Sequence, residues 1–226
     1  MNISNSSKIV KCRVTNGTQI NYCYLVINLS TRSCVAIDPA WERHTIEENL
    51  LHYQVNLSGI LITHHHRDHI DLASTLAKSH NCKIYLSSTE YRYYNMKLEP
   101  SVLLKDRVAV TLGGMTILPI VTPGHTAGST CYLINNALFT GDTLFNEGTG
   151  VCFTEGGDPI QMFHSVQTLK QLISDSAIIY PGHRYKLDLG MQFSKVKRYN
   201  IYLQFKDIDQ FVKFRMRGNK RLYNYT

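Results

Sequence analysis

The sequence predicts a mixed α/β fold in which β-sheets are covered by helices in layers. Three observations lead there. Short runs rich in Val, Ile, Tyr and Cys recur along the chain and are separated by turn residues. Stretches with apolar residues at helix spacing are interspersed among them rather than gathered in one block. The 226 residues, 43% hydrophobic and 18% charged, form an ordinary globular composition, long enough to bury one core without disulfides.

Residues 9–15, 20–28 and 33–37 read as strands, with Asn16-Gly17 as the turn between the first two. Residues 43–53 read as a helix, because Ile46, Leu50 and Tyr53 fall on one side. Residues 59–63 are a buried strand that ends abruptly in His64-His65-His66-Arg67-Asp68-His69. A helix over about 70–79 and a strand at 83–86 follow. Further strands are expected at 107–112, 115–121, 129–134 and 137–140. Asp158-Pro159 opens a helix to about residue 173, since aspartate caps it and proline suits the first helical position. Residues 177–180 form a strand stopped by Pro181-Gly182. The remainder is aromatic and basic, and helical from about Asp207. The expected division is a main domain over 1–190 and a short C-terminal extension over 191–226 packed on its core.

No run of 18 apolar residues exists, so no membrane-spanning helix is expected, and the polar start MNISNSSKIVKC lacks the apolar stretch of a signal peptide. A soluble, cytoplasmic protein is the expectation. Six scattered cysteines without a CxxC pair fit reduced thiols. The net charge of +7 is concentrated late: Lys195 to Arg221 holds nine Lys or Arg against two Asp.

His64, His66, Asp68 and His69 lie within six residues, at the end of an apolar strand. His64 and His66 alternate with His65, so in extended backbone they point the same way. Imidazole and carboxylate suit zinc, and also iron or manganese. A surface histidine patch is the plainer alternative. Three more strand ends weigh against it, each delivering one such group: His125 in a glycine-rich turn, Asp142 in Thr-Gly-Asp-Thr and His183 after Pro-Gly. His44, His52, His65, His80 and His164 are left as surface or packing residues.

The Thr-His-His-His-Arg-Asp-His run, then a single His, a single Asp and a final His in this order, resembles the metallo-β-lactamase superfamily over residues 23–185. The Gly-Asp-Thr-Leu-Phe and Pro-Gly-His forms are most similar to its glyoxalase II-like thioester hydrolases. Residues 158–165 and 211–217 resemble a subgroup, the small zinc-dependent hydrolases of bacterial polyketide pathways such as the bacillaene pathway. The resemblance implies a four-layer αββα sandwich with the metal site at one edge between two sheets. It implies two zinc ions, with iron or manganese as possible substitutes. His64, His66 and His125 would hold one metal, Asp68, His69 and His183 the other, and Asp142 would bridge them. Asp38 matches the family's early aspartate and would orient ligands from behind, though a strand-ending Asp-Pro turn explains it equally.

The implied reaction is thioester hydrolysis by metal-activated water. No Gly-x-Ser-x-Gly nucleophile motif is present. The implied substrate is an acyl group on the phosphopantetheine of an acyl carrier protein. Lys195, Lys197, Arg198, Lys213, Arg215 and Arg217 could steer an acidic carrier, or simply form a solvated face. Arg67, Arg184 and Tyr185 flank the metal motifs and are candidate substrate contacts. Alternatives are a hydroxyacylglutathione hydrolase, a persulfide dioxygenase with one iron and, from another class, an RNA-binding or RNA-processing protein. The first is weakened because the chain lacks the longer helical C-terminal domain of glyoxalase II. The last is weakened because no RNA-binding aromatic motif is present.

Overall fold

The computed structural model describes residues 7–99 and 101–217. Strands β1 (Ser7–Asn16), β2 (Gln19–Asn28), β3 (Ser33–Ile37), β4 (Asn56–Leu61), β5 (Lys83–Ser87) and β6 (Ser101–Leu104) form one sheet in sequence order. Strands β7 (Val110–Leu112), β8 (Met115–Val121), β9 (Thr130–Ile134), β10 (Ala137–Gly141), β11 (Ile178–Pro181) and β12 (Met191–Gln192) form a second sheet, also in sequence order from one edge to the other. Pairing is parallel from β3 to β6 and between β10 and β11, and antiparallel elsewhere.

Both faces of the central strands are buried, which is why they read as nearly continuous apolar runs. In β2, Cys23, Leu25 and Ile27 face helices α1 (Arg43–Tyr53) and α3 (Ala73–Ser79), joining Ile46, Leu50, Leu76 and Ala77. The alternating Tyr24 and Val26 face the second sheet and meet Ile117, Tyr132 and Phe139. The outer face of the second sheet is covered by α5 (Pro159–Leu172), α6 (Phe193–Tyr199) and α7 (Ile208–Arg215), through Met162, Val166, Phe193, Val196 and Phe211. The result is the expected four-layer αββα sandwich. Residues 191–217 thus supply an edge strand and core side chains to the second half. Residues 218–221, which carry two of the basic residues noted above, lie outside the described residues.

Some expected elements differ. The helix over 70–79 is two pieces, α2 (Arg67–Ile70) and α3, because the Leu72 amide donates to the Pro39 carbonyl at 3.1 Å instead of continuing the helix. The strand over 107–112 begins only at Val110: Arg107 is left-handed at φ 53° and its amide donates to the Pro119 carbonyl. Helix α4 (Ser88–Tyr93) was not anticipated, although Ser87 caps it by accepting from the Glu90 amide at 3.0 Å. All six cysteines are buried free thiols, and among the described residues no helix is long and apolar enough to cross a membrane.

Candidate metal centre

Four strand ends meet at one edge of the sandwich. The chain leaves β4 after Leu61 and presents His64 and His66, then turns into α2 with His66 extended at its N-cap, φ −60° and ψ 144°. This turn brings Asp68 and His69 beside them. The β8–β9 loop supplies His125, the end of β10 supplies Asp142 and the end of β11 supplies His183.

Three ring nitrogens converge: His66 Nδ1 lies 3.1 Å from His64 Nε2 and 3.0 Å from His125 Nε2. A second group forms beside them, with Asp68 Oδ2 at 3.3 Å from His183 Nε2 and 3.5 Å from His69 Nε2. Asp142 faces both groups. Its Oδ1 is 3.4 Å from His69 Nε2, and its Oδ2 is 3.4 Å from His183 Nε2 and 3.7 Å from His125 Nε2. The ligand atoms within each of the sets His64/His66/His125, His64/His69/Asp142 and Asp68/His69/His183 lie within 4.8 Å of one another.

The donor set fits a cation. His69 Nε2 and Asp142 Oδ1 are buried without a hydrogen-bond partner among the described residues, a costly arrangement unless something charged satisfies both. Burial, with His69 and His125 nearby, pulls His64 well below its usual value; burial and His125 bring His66 down to about 4; burial also lowers His125. These three rings are therefore neutral and ready to ligate. Burial opposes ionisation of Asp142, but His183, His69 and His125 overcome it and hold the carboxyl far below the ordinary range.

Neighbouring groups turn the rings. His125 Nδ1 lies 2.7 Å from the Val151 carbonyl and His183 Nδ1 lies 2.9 Å from the Ile20 carbonyl, so each donates outward and presents Nε2 inward. Asp38, only 2% exposed, sits 2.9 Å from His69 Nδ1 and accepts from the Thr63 amide and hydroxyl at 2.8 and 2.6 Å. Asn21 donates through its side chain to the Asp68 carbonyl. The edge is tightly closed: a methyl at Gly182 would fall 2.6 Å from His69 Cε1 and 2.7 Å from Asp142 Oδ1.

Sequence reasoning missed Glu90. It is 1% exposed and accepts from the His65 amide at 2.8 Å, the Thr126 hydroxyl at 2.9 Å and the Gly128 amide at 2.8 Å. His65, expected as a surface or packing residue, lies 2.8 Å from Glu90 through Nδ1 and stacks on Tyr94 at 3.6 Å. The Ser87-Ser88-Thr89-Glu90 capping signature points to the start of α4 but not to these tertiary contacts of Glu90.

The flanking residues are dispersed. Arg67 points to solvent and meets Asp71 at 3.3 Å. Arg184 pairs with Asp188 at 2.7 Å and lines an open cleft of about 470 Å³ with Lys11, Tyr22 and Leu189. Tyr185 is exposed, its ring 5.2 Å from Phe145, which lies 6.0 Å from His183. On α7, Lys213 is exposed, whereas Arg215 is half-buried and donates to the Tyr202 hydroxyl at 2.8 Å. The Arg217 guanidinium lies 3.4 Å above the Phe214 ring.

Known proteins resemble the chain in sequence and fold. The sequence profile of the metallo-beta-lactamase superfamily matches residues 16–183. The chain is 41% identical to a probable polyketide biosynthesis zinc-dependent hydrolase of Bacillus velezensis, BaeB, covering 89% of each. It is 35% identical to PksB of Bacillus subtilis, similarly named, over 98% of this chain and 97% of that one. A hydroxyacylglutathione hydrolase of Shewanella loihica is 34% identical over 73% of this chain and 62% of its own. Among solved structures, ETHE1 from Myxococcus xanthus superposes with a TM-score of 0.82 at 26% identity, covering 93% of this chain and 91% of that one. By profile, by identity across almost its whole length and by architecture, the chain belongs to the metallo-β-lactamase superfamily.

Proposed function

We propose that the chain is a metal-dependent hydrolase with two metal positions, acting on thioesters that an acyl carrier protein bears on its phosphopantetheine arm. The observation that supports the two-metal reading is Asp142, whose Oδ2 lies between His125 of one ligand group and His183 of the other while its Oδ1 faces His69. His64, His66 and His125 would hold one ion, Asp68, His69 and His183 the other, with Asp142 shared. Zinc bound there would supply a water acidic enough to ionise near neutral pH, with a pKa of about 7, and a Lewis acid for a carbonyl oxygen. The chain's own part is to hold the neutral His64, His66 and His125 rings inward, to keep Asp142 ionised and to fix the rings through Asp38, Val151 and Ile20. The exposed Tyr185 beside Phe145 offers an apolar approach for an acyl arm next to His183.

The carrier-protein substrate is supported by the polyketide names of BaeB and PksB, which the chain matches nearly end to end. The basic C-terminal segment, with Lys213 exposed on α7, suits attraction to an acidic partner. Hydroxyacylglutathione hydrolysis is a second reading, favoured by the 34% identity to the Shewanella enzyme, of whose length the chain spans 62%. Paired rate measurements on acyl-carrier protein and acyl-glutathione separate the two. Faster turnover of the carrier-bound thioester is expected; preference for the glutathione thioester would overturn the substrate assignment.

A further inference from the structure

We propose that Glu90 is a positioning residue for one of the two metal positions, that of His64, His66 and His125, and leaves the other to separate supports. This rests on the two-metal reading above. The division of labour within the carboxylate is the central observation. Oε1 serves the first histidine loop, accepting from the His65 amide at 2.8 Å and lying 2.8 Å from His65 Nδ1. Oε2 serves the second, accepting from the Thr126 hydroxyl at 2.9 Å and the Gly128 amide at 2.8 Å. A single rigid group thereby fixes the distance between the loop bearing His64 and His66 and the loop bearing His125. Those are the loops whose ring nitrogens converge to 3.0 and 3.1 Å.

The surroundings reinforce that role. Ser87 donates from its hydroxyl to the Gly128 carbonyl at 2.8 Å, and the Tyr94 hydroxyl accepts from the Ala127 amide at 3.1 Å while its ring stacks on His65. A methyl at Gly128 would fall 2.2 Å from the Glu90 nitrogen, so the second loop is pressed directly onto α4. Among the described residues the other ligand group has no hydrogen bond to Glu90 and draws on Asp38 at His69, the Asn21 amide at the Asp68 carbonyl and the Ile20 carbonyl at His183; of these Asp38 also reaches the first group, through the Thr63 hydroxyl 3.0 Å from His64 Nδ1.

Glu90→Gln keeps the shape and replaces one acceptor oxygen by NH₂. Whichever way the amide is turned, one loop presents a backbone N–H to another N–H, and that loop must shift. The test is a zinc titration of metal-stripped wild type and Glu90→Gln, followed through the histidine ring ¹⁵N NMR signals. The expected result is weaker binding, by about 10–100-fold, reported by His64, His66 and His125, while His69 and His183 respond as in wild type. Thr126→Val, which removes one of the four contacts, serves as the gentler variant and is expected to weaken the same three signals less. A uniform loss across all five rings would reduce Glu90 to a general support of the fold and overturn the proposal, as would no change in either variant. Wild-type rings that do not respond to zinc would overturn the two-metal reading and this inference with it.

Discussion

Asp38 Oδ2 lies 2.9 Å from His69 Nδ1 and accepts the Thr63 hydroxyl at 2.6 Å, so one buried oxygen orients a ligand ring and anchors the strand end before His64. Asp38 is itself left-handed, at φ 52°, a conformation that aspartate and asparagine tolerate better than most residues. Asp38→Asn therefore preserves the backbone and alters only the acceptor. Metal affinity at His69 is expected to fall about 10–100-fold, with the metal-free fold retained. Metal titration alongside circular dichroism checks both halves of that statement.

Proton release distinguishes the two ligand groups. Burial works against a charge on His183, but Asp142 and Asp68 facing it push its value up to about 11, whereas His66 is down at about 4. A raised imidazolium value stabilises the metal-free fold fully below about pH 6.5, the unfolded value, and that contribution is lost as pH rises through about 11. Loading a metal beside His183 must therefore expel a proton at neutral pH, while loading the His64/His66/His125 group need not. Zinc titrations at about pH 8 and about pH 6 should show one binding step weakening as pH falls, by about tenfold per pH unit for each proton expelled, and the other nearly constant. Parallel shifts of both steps would contradict this.

Gly182→Ala places a methyl between His69 and Asp142, against atoms 2.6 and 2.7 Å away. The side chains must part, and Asp142 is the group that the two proposed ligand sets would share. Loss of metal from both sets is expected, read as metal content per chain after dialysis. Retention of wild-type content would show that the edge is looser than the geometry implies.

The motifs of the metal centre were legible because scarce residue types follow apolar strands directly, and each strand end fixes where its His or Asp emerges. Asp38 was legible only as an equal choice between a turn and a ligand support; its contact with His69, 31 residues away, supports the second reading. Glu90 was hidden because its partners lie 25, 36 and 38 residues distant and no local pattern encodes them. The break between α2 and α3 was hidden for the same reason, since the Pro39 carbonyl that captures the Leu72 amide is a tertiary contact. Arg215 looked like its basic neighbours in sequence, yet folding engages it with Tyr202.

The C-terminal segment is part of the core. Phe211 is fully buried and packs against Phe163 and Tyr202 at ring distances of 5.4 Å. Phe211→Ala should cost about 3–5 kcal/mol by lost burial and cavity formation. A clear fall in the thermal unfolding midpoint is expected; an unchanged midpoint would show that α7 is dispensable to the core.

Metal content of the purified, zinc-loaded protein tests the central claim most directly. Two ligand groups sharing Asp142 predict about two zinc ions per chain. A single tightly held ion, with the Asp68/His69/His183 group remaining empty under zinc excess, would contradict it.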